Sequence, residues 1–102
     1  MPIYRGYNNL MKITFDPAKN ARNVAERGLG FDEVKKFDFQ TAKFWQDTRH
    51  TYPEPRFVAL GYLQARLHVL VFSETEQGIR VISFRKANPR EGAKHGFTLT
   101  QN

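Results

Sequence analysis

A chain of 102 residues with a net charge of +6 and no cysteine is sized for one domain and excludes a disulfide framework or a thiolate metal site. Its 40% hydrophobic and 14% aromatic content argues for a packed core and against a disordered tail. No run approaches the roughly 18 apolar residues of a membrane span, and the opening MPIYRGYNNL lacks the apolar stretch of a signal peptide.

Residues 1–10 read as an N-terminal extension, because regular patterning begins at Met11, an alternative start; residues 11–102 form the single domain. Met11, Ile13 and Phe15 alternate with Lys12 and Thr14, as in a half-buried strand. Asp16-Pro17 then changes the period. Asp16 suits an N-cap, Pro17 the first helical position and Gly28 a left-handed C-cap. This predicts a helix over 17–27 with Ala18, Ala21, Val24 and Ala25 on its apolar face. Phe31, Val34 and Phe37 predict a second, shorter helix over 31–37, with Asp32 and Glu33 near its positive end. Residues 43–48 suit a strand around Phe44 and Trp45, and HTYPEP suits a loop.

Three β-rich runs follow, at 56–63, 66–73 and 79–86, with short connections that imply an antiparallel meander. Gln64-Ala65 is a poor two-residue hairpin turn, so a longer loop is expected there. Asn88-Pro89-Arg90-Glu91 repeats the helix-start grammar for a brief helix. FTLTQN is either a fraying tail or an added edge strand. The whole reads as α+β with segregated helices covering one sheet face and leaving the other free for a partner.

The basic balance points to an anionic partner such as nucleic acid, an acidic protein or a membrane surface. His50, His68 and His95 lack ligand-like spacing, so no metal or cofactor is expected. Ser73 and Ser83 have no nucleophile-elbow glycines. The cations Arg80, Arg85, Lys86, Arg90 and Lys94 cluster around the last helix start, where free amides could meet an anion; a solvated basic edge is the alternative. In a regular strand Arg80 and Lys86 share one face, and Arg85 shares the other with Ser83 and Val81, unless a bulge re-aims one of them. Glu54 and Arg56 flank Pro55 at the rim of the meander. His50 lies in the same loop and suits proton transfer. Tyr52 is the best exposed stacking candidate, and Trp45 is assigned to the core.

The order of these pieces resembles the BrnT toxin family. FDPAKNARNVAERGLGF matches the family's opening signature at Asp16, Lys19, Asn23, Gly28 and Phe31. EPRFVALG matches at Glu54, Arg56 and Gly61, and RVISFRKANPRE at Arg80, Ser83, Arg85, Ala87 and Glu91. Phe15 stands for the family's Trp, Arg27 for its His before Gly, and His95 for its usual Tyr. The resemblance implies a RelE-like fold and the toxin half of a type II toxin–antitoxin pair, a cytoplasmic ribonuclease acting on RNA. It also implies a BrnA antitoxin that carries DNA binding.

RNA brings its own nucleophile, the 2′-OH, so positioned cations suffice without a metal. On this reading Arg85 and Arg56 stabilise the phosphate, and His50 or Glu54 is the base. Lys19 and Arg80 position the strand within a wider RNA-binding set of Arg27, Lys86, Arg90 and His95. The alternative is a non-catalytic basic module that docks an antitoxin or nucleic acid.

Overall fold

The computed structural model describes residues 6–101. Residues 1–5 of the expected extension, and Asn102, lie outside the described residues. Residues 6–10 pack onto the domain: the Tyr7 ring stands edge-on to Phe72 at 5.2 Å, and Asn9 Nδ2 donates to Phe37 O at 3.0 Å.

The alternating opening forms β1 (Lys12–Phe15). It is followed by α1 (Pro17–Arg27), capped as the sequence dictates: Asp16 accepts from the Ala18 N–H, and Gly28 closes the helix at φ 66°. The expected apolar face does not bury. Ala18, Ala21 and Ala25 are exposed, and Val24 is 47% exposed. Amides hold the helix instead. Asn23 Nδ2 donates to Leu29 O at 2.8 Å and to Phe84 O at 3.0 Å, and Asn20 Oδ1 accepts from Phe31 N at 2.7 Å. Three alanines offer little area to bury, so these hydrogen bonds decide how α1 docks.

The second helix is a 3-10 turn, Phe31–Lys36. Three residues per turn set Phe31, Val34 and Phe37 above one another, which suits their spacing of three better than an α-helix does. All three are buried.

Four further strands follow: β2 (Lys43–Gln46), β3 (Phe57–Leu63), β4 (Arg66–Thr75) and β5 (Gly78–Lys86). The sheet order is β1-β5-β4-β3-β2. The meander is antiparallel, but β1 joins β5 in parallel, so the fold is α+β on a five-stranded mixed sheet. Gly78 permits that parallel junction, since a Cβ there would sit 2.0 Å from Lys12 O.

The β3–β4 turn departs from expectation. It is a true two-residue turn at Gln64 (φ 49°) and Ala65 (φ 67°), with Leu63 paired to Arg66. Left-handed backbone is unfavourable for these residues, but the ladder running from Phe57↔Phe72 to Leu63↔Arg66 fixes the register and imposes the turn. The C-terminal segment is tied to the same corner, with Leu67 N–H donating to Leu99 O and Gln101 N–H to Ala65 O, both at 2.8 Å.

The final helix, α2 (Pro89–Lys94), carries the expected capping box. Its leading amides are therefore engaged: Glu91 N–H donates to Asn88 Oδ1, and Asn88 N–H to Glu91 Oε1. On the helix side of the sheet, Phe31, Phe37, Leu70, Phe72, Ile79 and Phe84 form the main core. The opposite face is not left free. Leu60, Tyr62, Leu67 and Ala87 form a second core there, against which Trp45, Phe97 and Leu99 pack. What stays open on this face is a cleft.

Candidate active site

Strand alternation places Val58 and Leu60 of β3, and Val69 and Val71 of β4, on the face away from α1, where they floor a cleft of about 520 Å³. β5 brings Ser83 and Arg85 to one wall. Across the floor, Trp45 of β2 and the following Asp47 and Arg49 make the other wall, while Glu91, Lys94 and His95 lean in from α2 and its C-cap.

Arg85 reaches the cleft through an irregularity. Val71 pairs with Ser83 but Phe72 pairs with Val81, so Ile82 is an extra residue in β5. The bulge shifts parity. Val81 and Phe84 both enter the helix-side core, while Arg80, Ser83 and Arg85 fall on the cleft face. The regular-strand expectation that groups Arg85 with Val81, and Arg80 with Lys86, is thereby corrected.

Each cleft arginine grips a carboxylate with a fork. Arg85 Nη1 and Nη2 donate to Glu91 Oε1 and Oε2 at 2.9 and 2.6 Å. Because Glu91 also caps α2, Arg85 is fixed to the helix start. The guanidinium hydrogen bonds pull the Glu91 carboxyl from 4.5 down to about 2. On the other wall Arg49 Nε and Nη2 donate to Asp47 Oδ1 and Oδ2, both at 2.9 Å, and Tyr52 O–H adds a bond to Oδ2 at 3.1 Å. Asp47 is buried, yet Arg49 holds its carboxyl well below the usual range. The Arg49 side chain itself is 75% exposed. The two arginines sense each other, since the charge of Arg49 opposes the raised pKa of Arg85.

At the cleft rim His95 stacks on Trp45, with ring centroids 4.5 Å apart and planes 13° apart. Lys43 Nζ donates to His95 O at 2.7 Å. Among the described residues, no three His, Cys, Asp or Glu side chains gather where they could hold a metal ion.

Of the cations and candidate site residues singled out in the sequence, Arg85, Lys94 and His95 line this cleft. Arg56 does not; its guanidinium sits 4.2 Å over the ring of Tyr52, the residue whose hydroxyl bonds Asp47. His50 and Glu54 line an adjoining hollow of about 260 Å³, which shares Gln46, Asp47 and Thr48 with the cleft. Arg80 lies on the cleft face beside β1, paired with Thr14, but outside the cleft walls. Arg90 is exposed at the start of α2.

Lys19 and Arg27 are exposed on α1, on the helix side. Lys86 is on that side too, in a hollow with His68. His68 is buried against Phe84, donates from Nδ1 to Arg66 O, and is pushed toward its neutral form by burial.

Arg49, Asp47 and Trp45 are cleft residues that sequence reasoning missed. The signal for the first two was the i, i+2 spacing Asp47–Arg49 just past a strand, which puts both side chains on one side. Trp45 shares its face with Lys43, which a parity reading of β2 would have exposed.

No curated protein matches the chain. The family model for the ribonuclease toxin BrnT of type II toxin–antitoxin systems matches residues 15–91, a span that holds both arginine–carboxylate forks and the whole cleft floor. The chain belongs to the BrnT family of ribonuclease toxins.

Proposed function

We propose that this chain is an endoribonuclease that cleaves single-stranded RNA in the cleft without a metal ion, on a RelE-like arrangement of sheet and helices. Membership of a type II toxin–antitoxin family implies an antitoxin partner; the partner we propose is BrnA-like and supplies the DNA binding. The observation that carries this reading is the pair Arg85 and Arg49, on opposite walls of an apolar-floored cleft.

The RNA 2′-OH attacks the adjacent phosphorus, forming the P–O2′ bond and breaking the P–O5′ bond. The products are a 2′,3′-cyclic phosphate and a free 5′-OH. Negative charge builds on the non-bridging oxygens. A guanidinium has five N–H donors, so a fork to a carboxylate leaves others for phosphate. Over apolar side chains such donors act in a lowered dielectric.

The two cleft carboxylates are held ionised by their arginines, which makes them poor proton donors near neutrality. The imidazole of His95 lines the cleft, and it takes the 2′-OH proton as general base. His50 and Glu54, in the adjoining hollow, are the candidates for protonating the 5′-oxygen. Arg56 steadies that loop through Tyr52. Lys94, Arg80 and Arg90 add positive charge on the approach, while Lys19, Arg27 and Lys86 serve the opposite face.

A second reading, a non-catalytic module that docks antitoxin or nucleic acid, is favoured by the fact that both cleft arginines are already ion-paired. Incubating purified protein with defined RNA in EDTA separates the two. Cleavage that persists in EDTA and falls ~10²–10³-fold in Arg85→Ala, with the melting transition retained, is the expected result. Equal RNA loss from both proteins would sink the enzymatic reading.

A further inference from the structure

The stacked pair Trp45 and His95 borders a second hollow, of about 600 Å³, on the open side of edge strand β2. We propose that this hollow is a nucleobase subsite, which takes one unstacked base of the RNA whose phosphate lies in the cleft. The inference rests on the ribonuclease reading above and specifies the substrate: a single strand with a base splayed out beside the scissile phosphate.

Five aromatic rings line the hollow: Tyr7, Phe39, Phe44, Trp45 and His95. Tyr7 and Phe44 are in ring contact at 5.4 Å. Planar rings suit a planar base, because every base has a π-face that stacks. Gln40 and Lys43 supply the polar groups on its lining. The Gln40 amide can both donate to and accept from a base edge. Lys43 is fixed by its bond to His95 O and lies 5.8 Å from the Phe97 ring centroid. No carboxylate is among the described residues lining the hollow, so its one formal charge is positive, as a nucleotide requires.

Continuity with the cleft is the second support. Trp45 and His95 line both spaces, so a base in one and its phosphate in the other belong to a single strand crossing the ring pair. The wall is preorganised. His95 is held by its own N–H to Gly92 O at 3.1 Å and by Lys43 on its carbonyl, so little freedom is lost on binding. Of the lining residues, Tyr7 and His95 fall outside the matched span 15–91 and the others inside it.

The test uses the full chain and an end-labelled hexanucleotide carrying 2′-O-methyl groups throughout, which binds but cannot be cleaved. Anisotropy gives its affinity, and a series with one abasic position each gives the contribution of each base. The expected result is one position whose base removal weakens binding about tenfold or more. Trp45 is the only tryptophan in the sequence, so its emission reports directly: the complete oligonucleotide should quench it, and the critical abasic version should not. In Trp45→Leu the abasic penalty should shrink to less than about threefold, as coupling through a shared contact requires.

A flat abasic scan with binding intact and emission unchanged would overturn the subsite while leaving RNA cleavage standing. Absence of both RNA binding and cleavage in the wild type would overturn both. Should Trp45→Leu fail to fold, the wild-type scan and emission decide alone.

Discussion

Phe84 and Arg85 are neighbours in the chain and belong to opposite worlds. Phe84 is fully buried, with Phe37 edge-on at 6.0 Å, under a layer made by α1 and the 3-10 turn. Arg85 stands on the other face, beside its β4 partner Val69, with its charge met by Glu91 and opposed by that of Arg49. The helix side is sealed by aromatic packing. The cleft side is sealed only at its C-terminal end, by Tyr62, Leu67, Phe97 and Leu99. The difference teaches that stability and chemistry are divided between the two faces of one sheet, so substitutions one residue apart should fail in different ways.

The largest expected effect on stability is on the sealed face. Phe84→Ala should lose about 3–5 kcal/mol, from lost transfer energy and the cavity left behind, read as a drop in the denaturant midpoint. A loss below about 1 kcal/mol would mean that the helix-side core does not carry the fold. Arg85→Ala, which slows cleavage ~10²–10³-fold on the proposed mechanism, should stay within about 1 kcal/mol of wild type, as expected for a partly exposed pair.

Next comes the seam between α1 and the sheet. Asn23→Ala removes the donor to both Leu29 O and Phe84 O and leaves those carbonyls unpaired, which should cost about 1–3 kcal/mol. Amide hydrogen exchange should show α1 opening ahead of the strands. Unchanged protection in α1 would show that the amide bridges do not hold it.

The smallest effect sharpens the cleft side. Glu91→Gln keeps the capping geometry but removes the charge that Arg85 grips, for about 0.5–1 kcal/mol near neutral pH. The folded Glu91 carboxyl lies below its ordinary value, dropping from 4.5 to about 2. Its contribution is therefore present above about 4.5 and is lost as pH falls toward 2. Wild type and Glu91→Gln should accordingly differ at pH 7 and converge in acid. A gap that widens as pH falls would contradict the pairing.

Much of the local structure was legible because its causes are local. Asp16-Pro17 and Asn88-Pro89 started helices where caps and proline geometry dictate, and period-two runs became strands. Where the reading departed, long-range pairing had overruled local preference. Gln64 and Ala65 take left-handed backbone because the ladder beside them fixes the register. Ala18, Ala21, Val24 and Ala25 keep helical spacing yet stay exposed, because Asn20 and Asn23 tie the helix by hydrogen bonds.

Two lining residues of the candidate cleft were legible: Arg85 through the strand end beside the capped turn, and His95 through the family resemblance. The site was not legible at Arg49 or Trp45, which reach the cleft only because β2 returns to the edge of the sheet two strands away from β4. Arg56 shows the converse: sequence singled it out, and packing laid it over Tyr52.

By itself, then, the sequence determined the elements, the α+β class, the basic character and the family, since these follow from residue type, spacing and caps. The tertiary structure alone decided which charges meet. A single extra residue, Ile82, turned Arg80 and Arg85 to one face and sent Val81 and Phe84 to the other. The crossing of β2 and α2 at the cleft put Trp45 against His95. Facing depends on register and on bulges, and register is set by partners far away in the chain.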